Sequence, residues 1–292
     1  MKKTLKKGIG VVGSTSIDQI VSEGQRFLKM GGVTTYAGLT YRRHGIPTLI
    51  VSNLAERDFN IMRKLKDAEI EVFSDASDQT THFVNYITGH RRYQELLQQA
   101  GPIMAEKIQA IIHRVDGLHL GPLHPLDIDP PALSFLCNSN LAIFLDVQGY
   151  TRMIRDRKVY PEVTNQLTEG LKAAQIIKAN GAEYRTILDF YQLDLTDLMK
   201  RFKIQESVVT LGKNGGFVQT QSGAAINYVA DPVKCEVDPT GAGDVFFAAY
   251  IVSRFSNKMH IPEACRYAAR CAAQQVEGNF VTINQLGLDG RQ

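Results

Sequence analysis

No stretch of this 292-residue chain approaches the roughly 18 consecutive apolar residues of a membrane span. Strong charge of either sign is missing too. With 33 basic and 30 acidic residues the net charge is +3, so nothing suggests a polyelectrolyte surface for nucleic acid. Cysteine is scarce and badly spaced for a framework. Cys137, Cys235, Cys265 and Cys271 form no CxxC pair, which disfavours cysteine-held metal and fits reduced thiols better than disulfides. The basic start MKKTLKK imitates a signal peptide, but Asp18 arrives before an apolar core develops, so the segment reads as a solvated tail and the expected location is cytoplasmic. Repeats, linkers and low-complexity segments are also missing. At 44% hydrophobic content the chain can build a sizeable core, as one large α/β domain or two small ones.

Short apolar runs alternate with helical patterns, which predicts a parallel sheet covered by helices. Strands are expected at Gly8–Gly13, Thr48–Ser52, Glu69–Phe73, Gly117–Leu120, Leu141–Asp146, Gln175–Lys178 and Ser207–Leu211. Helices are expected at Tyr36–His44, Asp58–Asp67, Met104–His113, Ala182–Asp189 and Leu195–Arg201. Two polar, β-prone insertions interrupt the rhythm near 19–31 and 80–97, the second with a turn at Thr88, Gly89 and His90. A hairpin is expected over Gly215–Thr220 and Ala225–Val229. Gly8, Gly10 and Gly13 spell GxGxxG, but they fall inside the first strand and no helix pattern follows, so dinucleotide binding is not inferred.

The most informative segment is DPTGAGDVFFAAY, Asp238 to Tyr250. Gly241 and Gly243 permit turn conformations in which successive N–H groups converge on an anion, and the apolar run after them predicts a buried helix whose N-terminus favours negative charge. Asp244 lies at that junction. A carboxylate beside a phosphate cradle repels the phosphate, a cost that suits a group with proton-transfer work to do. The plainer reading is a helix cap after a tight turn.

The string resembles the C-terminal signature of the ribokinase, or PfkB, family of carbohydrate and nucleoside kinases. The resemblance implies a single α/β domain over residues 1–292 with a three-layer fold, a mainly parallel central sheet flanked by helices, and a small β-lid formed by the insertions near 19–31 and 80–97. It makes Asp244 the catalytic base and the backbone of Gly241, Ala242 and Gly243 the anion hole, with Asp238 and Thr240 on the nucleotide side. It implies ATP and Mg2+ as donor and cation, and a sugar, polyol or nucleoside as partner. Lid strands in this family can pair between subunits, so a homodimer through the lid is a further implication.

Other segments carry the same resemblance. Asp18, after the first strand, would accept hydrogen bonds from substrate hydroxyls, and Gly31 and Gly32 match a glycine pair on which substrate rests. Where the family usually has asparagine this chain has Tyr36, which changes hydrogen-bonding capacity and bulk. Thr81, Phe83, Asn85 and Arg92 resemble the lid strands that close over substrate, and closure would protect the donor from water. Asn180 and Glu183 in IIKANGAEY match the NxxE pattern that organises magnesium in relatives, although NxxE alone commonly marks a solvated helix start. In VVTLGKNGG, Thr210, Gly212 and Lys213 would lie beside the ATP phosphates, and the helix near 268–276 would contribute to the adenine pocket. GKN lacks the spacing of a Walker A loop. LDVQGYTR resembles the substrate-side loop of inositol kinase-like relatives, with Arg152 as a substrate ligand or, equally, as the ion-pair partner of Asp146.

The expected activity is ATP-dependent phosphorylation of a hydroxyl on a small sugar or polyol, with an inositol-like acceptor favoured by Tyr36 and the QGYTR loop. The alternatives are a nucleoside kinase of the same family and a catalytically silent sugar or nucleotide sensor.

Overall fold

The computed structural model describes residues 6–22, 25–88 and 91–288. Seven strands form a parallel sheet in the spatial order Glu71–Phe73, Thr48–Val51, Ile9–Val12, Gly117–Leu120, Ala142–Asp146, Ile176–Asn180 and Glu206–Thr210. The hairpin Gly216–Thr220 and Ala225–Tyr228 extends it in antiparallel sense. The inner strands are buried on both faces, as parallel strands covered by helices must be.

Alternation along each strand feeds two cores. Val11, Phe144, Ile176 and Val208 pack with helices Val33–Arg43, Ala242–Ile251 and Ile261–Val276. Val12, Leu145 and Ile177 pack with helices Ala105–Ile111, Pro130–Cys137, Gln166–Ala173 and Leu195–Phe202. The result is three layers, as the resemblance implied. The expected strands and helices all recur with boundaries moved by a few residues. Helices Pro130–Cys137 and Gln166–Ala173 were not anticipated. Two consecutive prolines argue against a helix in the abstract, yet Pro130 and Pro131 occupy its first turn, where the missing N–H groups cost nothing.

A second sheet of six strands covers one end of the first, in the order Arg152–Arg155, Lys158–Pro161, Arg91–Gln98, His82–Thr88, Ser16–Ser22 and Gln25–Gly31. The two expected insertions supply four of these strands. The third hairpin, 152–161, begins at the end of the loop expected over 145–152 and was not anticipated, and it places Arg152 in the lid itself. Gly89 and His90 of the expected turn lie outside the described residues.

Helix Ala242–Ile251 is buried from Val245 through Ile251, which makes it a core helix rather than an amphipathic one. It continues into a π-turn, Val252–Ser256, whose Arg254 pairs with Glu206 on the sheet, donates from Nη1 to the Met259 carbonyl at 2.6 Å, and is joined there by the Tyr250 hydroxyl at 2.6 Å from Glu206 Oε2. Removing one member of a buried pair leaves the other uncompensated. Arg254→Leu should therefore destabilise the protein by about 3 kcal/mol, read as a lowered urea midpoint, and Glu206→Gln/Arg254→Leu should recover part of the loss.

Candidate active site

The first strand sits mid-sheet, with Thr48–Val51 on one side and Gly117–Leu120 on the other, so the connections diverge at its carboxyl end. Such switch points leave a crevice where ligands bind. A cleft of about 1080 Å³ opens there, between the strand ends, the lid and the N-terminus of helix Ala242–Ile251.

On one side of the cleft Asp18 is held 7% exposed in the lid strand Ser16–Ser22, where the Ser16 hydroxyl donates to its Oδ1 at 2.7 Å. Its carboxylate lies on the α-carbon of Gly31, where any side chain would collide with it. The expected glycine pair therefore serves Asp18 directly. Gly32 lines the cleft, and the Gly31 backbone is covered by the carboxylate. Asn85 is buried and accepts from Gln94 Nε2 at 3.0 Å, and both line the cleft with Gln148 and Arg152. Gln94 was not singled out in the sequence.

Across the cleft, Gly241 adopts φ 78°, a left-handed conformation that starts helix Ala242–Ile251. The Tyr36 ring packs on its α-carbon so closely that no side chain fits between them. Tyr36, expected as a substrate ligand, is thus placed as a wall under the glycine turn as well as a lining residue. The Ala242 N–H donates to the Pro239 carbonyl at 3.3 Å. Among the described residues the N–H groups of Gly243 and Asp244 have no such partner, and they remain available to an anion.

Asp244 is half-buried beside this turn, and desolvation pushes its carboxyl up to about 7, with Asp146 and Glu183 pushing the same way and Lys178 and Arg152 opposing. Lys178, at the centre of strand Ile176–Asn180, donates to Asp146 Oδ2 at 2.8 Å and stays protonated well above neutral pH, because Asp146, Glu183 and Asp244 together outweigh its desolvation. Asp146 thus pairs with Lys178, not with Arg152 as one reading had it. Arg152 is instead held in the combined field of Glu183, Asp146, Asp244 and Asp18, while its burial draws its affinity for a proton down.

Asn180 and Glu183 form a reciprocal capping box at helix Gly181–Tyr191. The Asn180 side chain accepts from the Ala182 and Glu183 N–H groups, and Glu183 accepts from the Asn180 N–H and Nδ2, both at 2.7 Å. The helix-start reading of NxxE therefore describes the local structure. Yet both residues also line the cleft, and burial raises the Glu183 carboxyl. Thr210, Gly212 and the exposed Lys213 line the same end. Asp238 does not. Its carboxylate caps the Thr240 N–H at 2.9 Å and forms an ion pair with the buried Lys29 on lid strand Gln25–Gly31, which fastens the lid to the glycine turn. Thr240 lines the cleft, and its carbonyl accepts from Gln275 at 3.2 Å.

Residues that sequence reading passed over are Lys178, Gln94 and Lys29. A readable signal existed for one: a lysine within the otherwise apolar run IIKAN is costly unless it is paired.

No cluster of three or more histidine, cysteine or acidic side chains able to cage a metal occurs among the described residues. A hydrated cation arriving with phosphate still fits. Four carboxylates, Asp18, Asp146, Glu183 and Asp244, surround two cations, Lys178 and Arg152, so the ionised site would be short of positive charge. Magnesium is commonly bound through one or two carboxylates plus substrate phosphates.

Residues 42–283 match the model of the family described as pfkB family carbohydrate kinase. No curated protein matches the chain. Among solved structures it resembles a pyrophosphate-dependent kinase in the ribokinase family, complexed with a pyrophosphate analog and myo-inositol, at TM-score 0.80 and 22% identity over 92% of this chain and 94% of that one. It resembles the Methanocaldococcus jannaschii nucleoside kinase at TM-score 0.73 and 18% identity, covering 95% and 92% of the two chains. The Thermotoga maritima ribokinase gives TM-score 0.74 and 17% identity, covering 95% and 97%. At these identities the likeness establishes a ribokinase-like fold.

The raised Asp244 carboxyl has a consequence for stability. Folded near 7 against 3.8 as its ordinary value, the ionised form disfavours the native state; the cost is absent below about pH 4, grows with rising pH, and is complete above about 7. Asparagine carries no such cost. Asp244→Asn should accordingly melt higher than wild type at pH 8, with the difference shrinking as the pH is lowered toward 4; equal melting temperatures at pH 8 would show that the carboxyl is not destabilised by burial.

Proposed function

The chain belongs to the pfkB family of carbohydrate kinases, and from that premise we propose that it transfers the terminal phosphoryl group of ATP, bound with Mg2+, to a hydroxyl of a small sugar or polyol, with an inositol-like acceptor favoured. The observation that carries this reading is the placement of Asp244 where the two halves of one cleft meet. Its carboxylate lies beside a helix N-terminus with open N–H groups, across from a polar wall of Asp18, Asn85, Gln94 and Arg152.

The acceptor hydroxyls would be held by Asp18, which accepts, and by Asn85 and Arg152, which donate. Asp244 would take the proton of the attacking hydroxyl as its oxygen bonds to the γ-phosphorus and the bond to the β–γ bridging oxygen breaks, with ADP leaving. The N–H groups at the start of helix Ala242–Ile251 would offset charge on the transferring group. Glu183 and Asn180 would hold Mg2+ largely through water, and the ion when bound supplies the positive charge that the carboxylates and phosphates lack. Lid strands above Asp18 would exclude water.

Two observations bear on substrate choice. The Tyr36 ring packs on Gly241 and is 1% exposed, so little of it is left to stack a base, which favours a polyol over a nucleoside. On the donor side the cleft extends beyond the glycine turn along Val233, Ala269, Ala272, Ala273 and Val276. An apolar slot of this kind suits a nucleobase and has no use for pyrophosphate, the donor of one solved relative.

Measured across sugars, polyols, inositols and nucleosides with either ATP or pyrophosphate, phosphoryl transfer should depend on ATP, Mg2+ and a polyol-type acceptor and should vanish in Asp244→Asn. Transfer from pyrophosphate alone would refute the donor assignment. Because the base must be ionised, the rate should fall on the acid side with a midpoint within about one unit of pH 7, which a pH profile of kcat/KM reads directly. Ala272→Phe, which fills the apolar slot, should raise the KM for ATP about tenfold or more while leaving kcat near wild type.

A further inference from the structure

Lys178 stands out among the charged groups of the cleft. Along strand Ile176–Asn180 the side chains of Ile177 and Ala179 enter one core while Ile176 enters the other, so Lys178 emerges on the same face as Ile176, toward helix Ala242–Ile251. Its side chain is 5% exposed, and its directly registered cross-strand neighbour is the fully buried Asp146. An ammonium carries three donors. Among the described residues the hydrogen bond formed is the one to Asp146, at 2.8 Å. The rest of the head group lies against the glycine turn: a β-carbon built on Gly243 would stand 3.2 Å from Lys178 Nζ and 3.5 Å from Cε. Lys178 also lines the cleft.

If the lysine did no more than neutralise Asp146, the pair would be a poor use of two central core positions, since buried ion pairs are seldom more stable than apolar pairs of the same volume. The glycine at 243 points elsewhere. It keeps clear the path by which the ammonium reaches the turn that carries the free N–H groups.

We propose, on the basis of the phosphotransfer reading above, that Lys178 is a catalytic residue, its ammonium oriented by Asp146 to donate a hydrogen bond to a non-bridging oxygen of the phosphoryl group in transit. The acceptor oxygen forms its bond to phosphorus, the bond from phosphorus to the bridging oxygen breaks with its electron pair leaving on the diphosphate, and the acceptor proton passes to Asp244. Lys178 keeps its own proton throughout. Its charge counters that of the equatorial oxygens, complementing the N–H groups on the other side of the turn.

The test compares wild type, Lys178→Met, Asp146→Asn and the double variant Lys178→Met/Asp146→Asn, each checked by thermal melting. The readouts are kcat, the two KM values, and the calorimetric affinity for ADP with Mg2+, with and without aluminium fluoride as a mimic of the transferring group. The neutral pair in the double variant should fold and keep both KM values within about threefold, while kcat falls about 100-fold or more. Aluminium fluoride should tighten ADP binding to wild type and not to the double variant. Recovery of kcat in the double variant to within about tenfold of wild type would show that Lys178 merely balances Asp146, and would overturn the proposal. Should the double variant fail to fold, Lys178→Gln, which still offers Asp146 a hydrogen bond, is judged by the same two readouts. Wild type that transfers phosphate to no acceptor from either donor refutes the kinase reading itself, and the role of Lys178 with it.

Discussion

Charge withdrawn from water at the carboxyl ends of the central strands is the constraint on which this structure depends. Asp146 and Lys178 are neighbours in register on adjacent parallel strands, so their pairing is set by the sheet itself. That pair then fixes the field felt by everything around it. Asp244 is lifted toward neutrality because desolvation exceeds the attraction of Lys178 and Arg152, and Glu183 is lifted for the same reason. A site with four carboxylates and two cations is primed to accept positive charge, and it can accept polyphosphate when a cation comes with it.

The lid is the second constraint. Its six strands come from three separated segments, 16–31, 82–98 and 152–161, each returning the chain to the strand ends it left. Asp18 and Arg152, on the first and third of these, therefore reach one cleft although more than a hundred residues separate them. Lys29 and Asp238 carry the connection further. Their ion pair joins a lid strand to the glycine turn, and the turn is itself held to helix Ile261–Val276 through Val237, Asp238 and Gln275. The side that binds the acceptor and the side that binds the donor are thus mechanically linked, which suits a reaction that must exclude water until both are in place.

Much of this was legible in the chain. The alternation of apolar runs with helical patterns announced the layered sheet because period 2 and period 3.6 are set by backbone geometry. The string DPTGAGD announced a turn, a helix start and an acid because glycine conformations and helix termini are local properties. What the sequence obscured was of another kind. The helix at Pro130–Cys137 was hidden by prolines that are harmless at a first turn. The hairpin at 152–161 has no apolar alternation strong enough to separate it from a loop. Tyr36 was read as a ligand because it stands where the family usually has asparagine, and nothing local signalled that its ring also packs on Gly241, some two hundred residues away.

The sequence by itself determined the layered architecture, the glycine turn before a buried helix, the acid at that helix start and the NxxE cap, since each depends on residues within a few positions of one another. Tertiary structure alone decided that Lys178 faces Asp146 and Gly243, that Asp238 turns to Lys29 rather than to the cleft, and that enough water is withdrawn from Asp244 to push its carboxyl up to about 7. These are matters of which remote groups share a water-poor space. Desolvation and Coulomb energy depend on distance through the fold, and no local pattern along the chain encodes that distance.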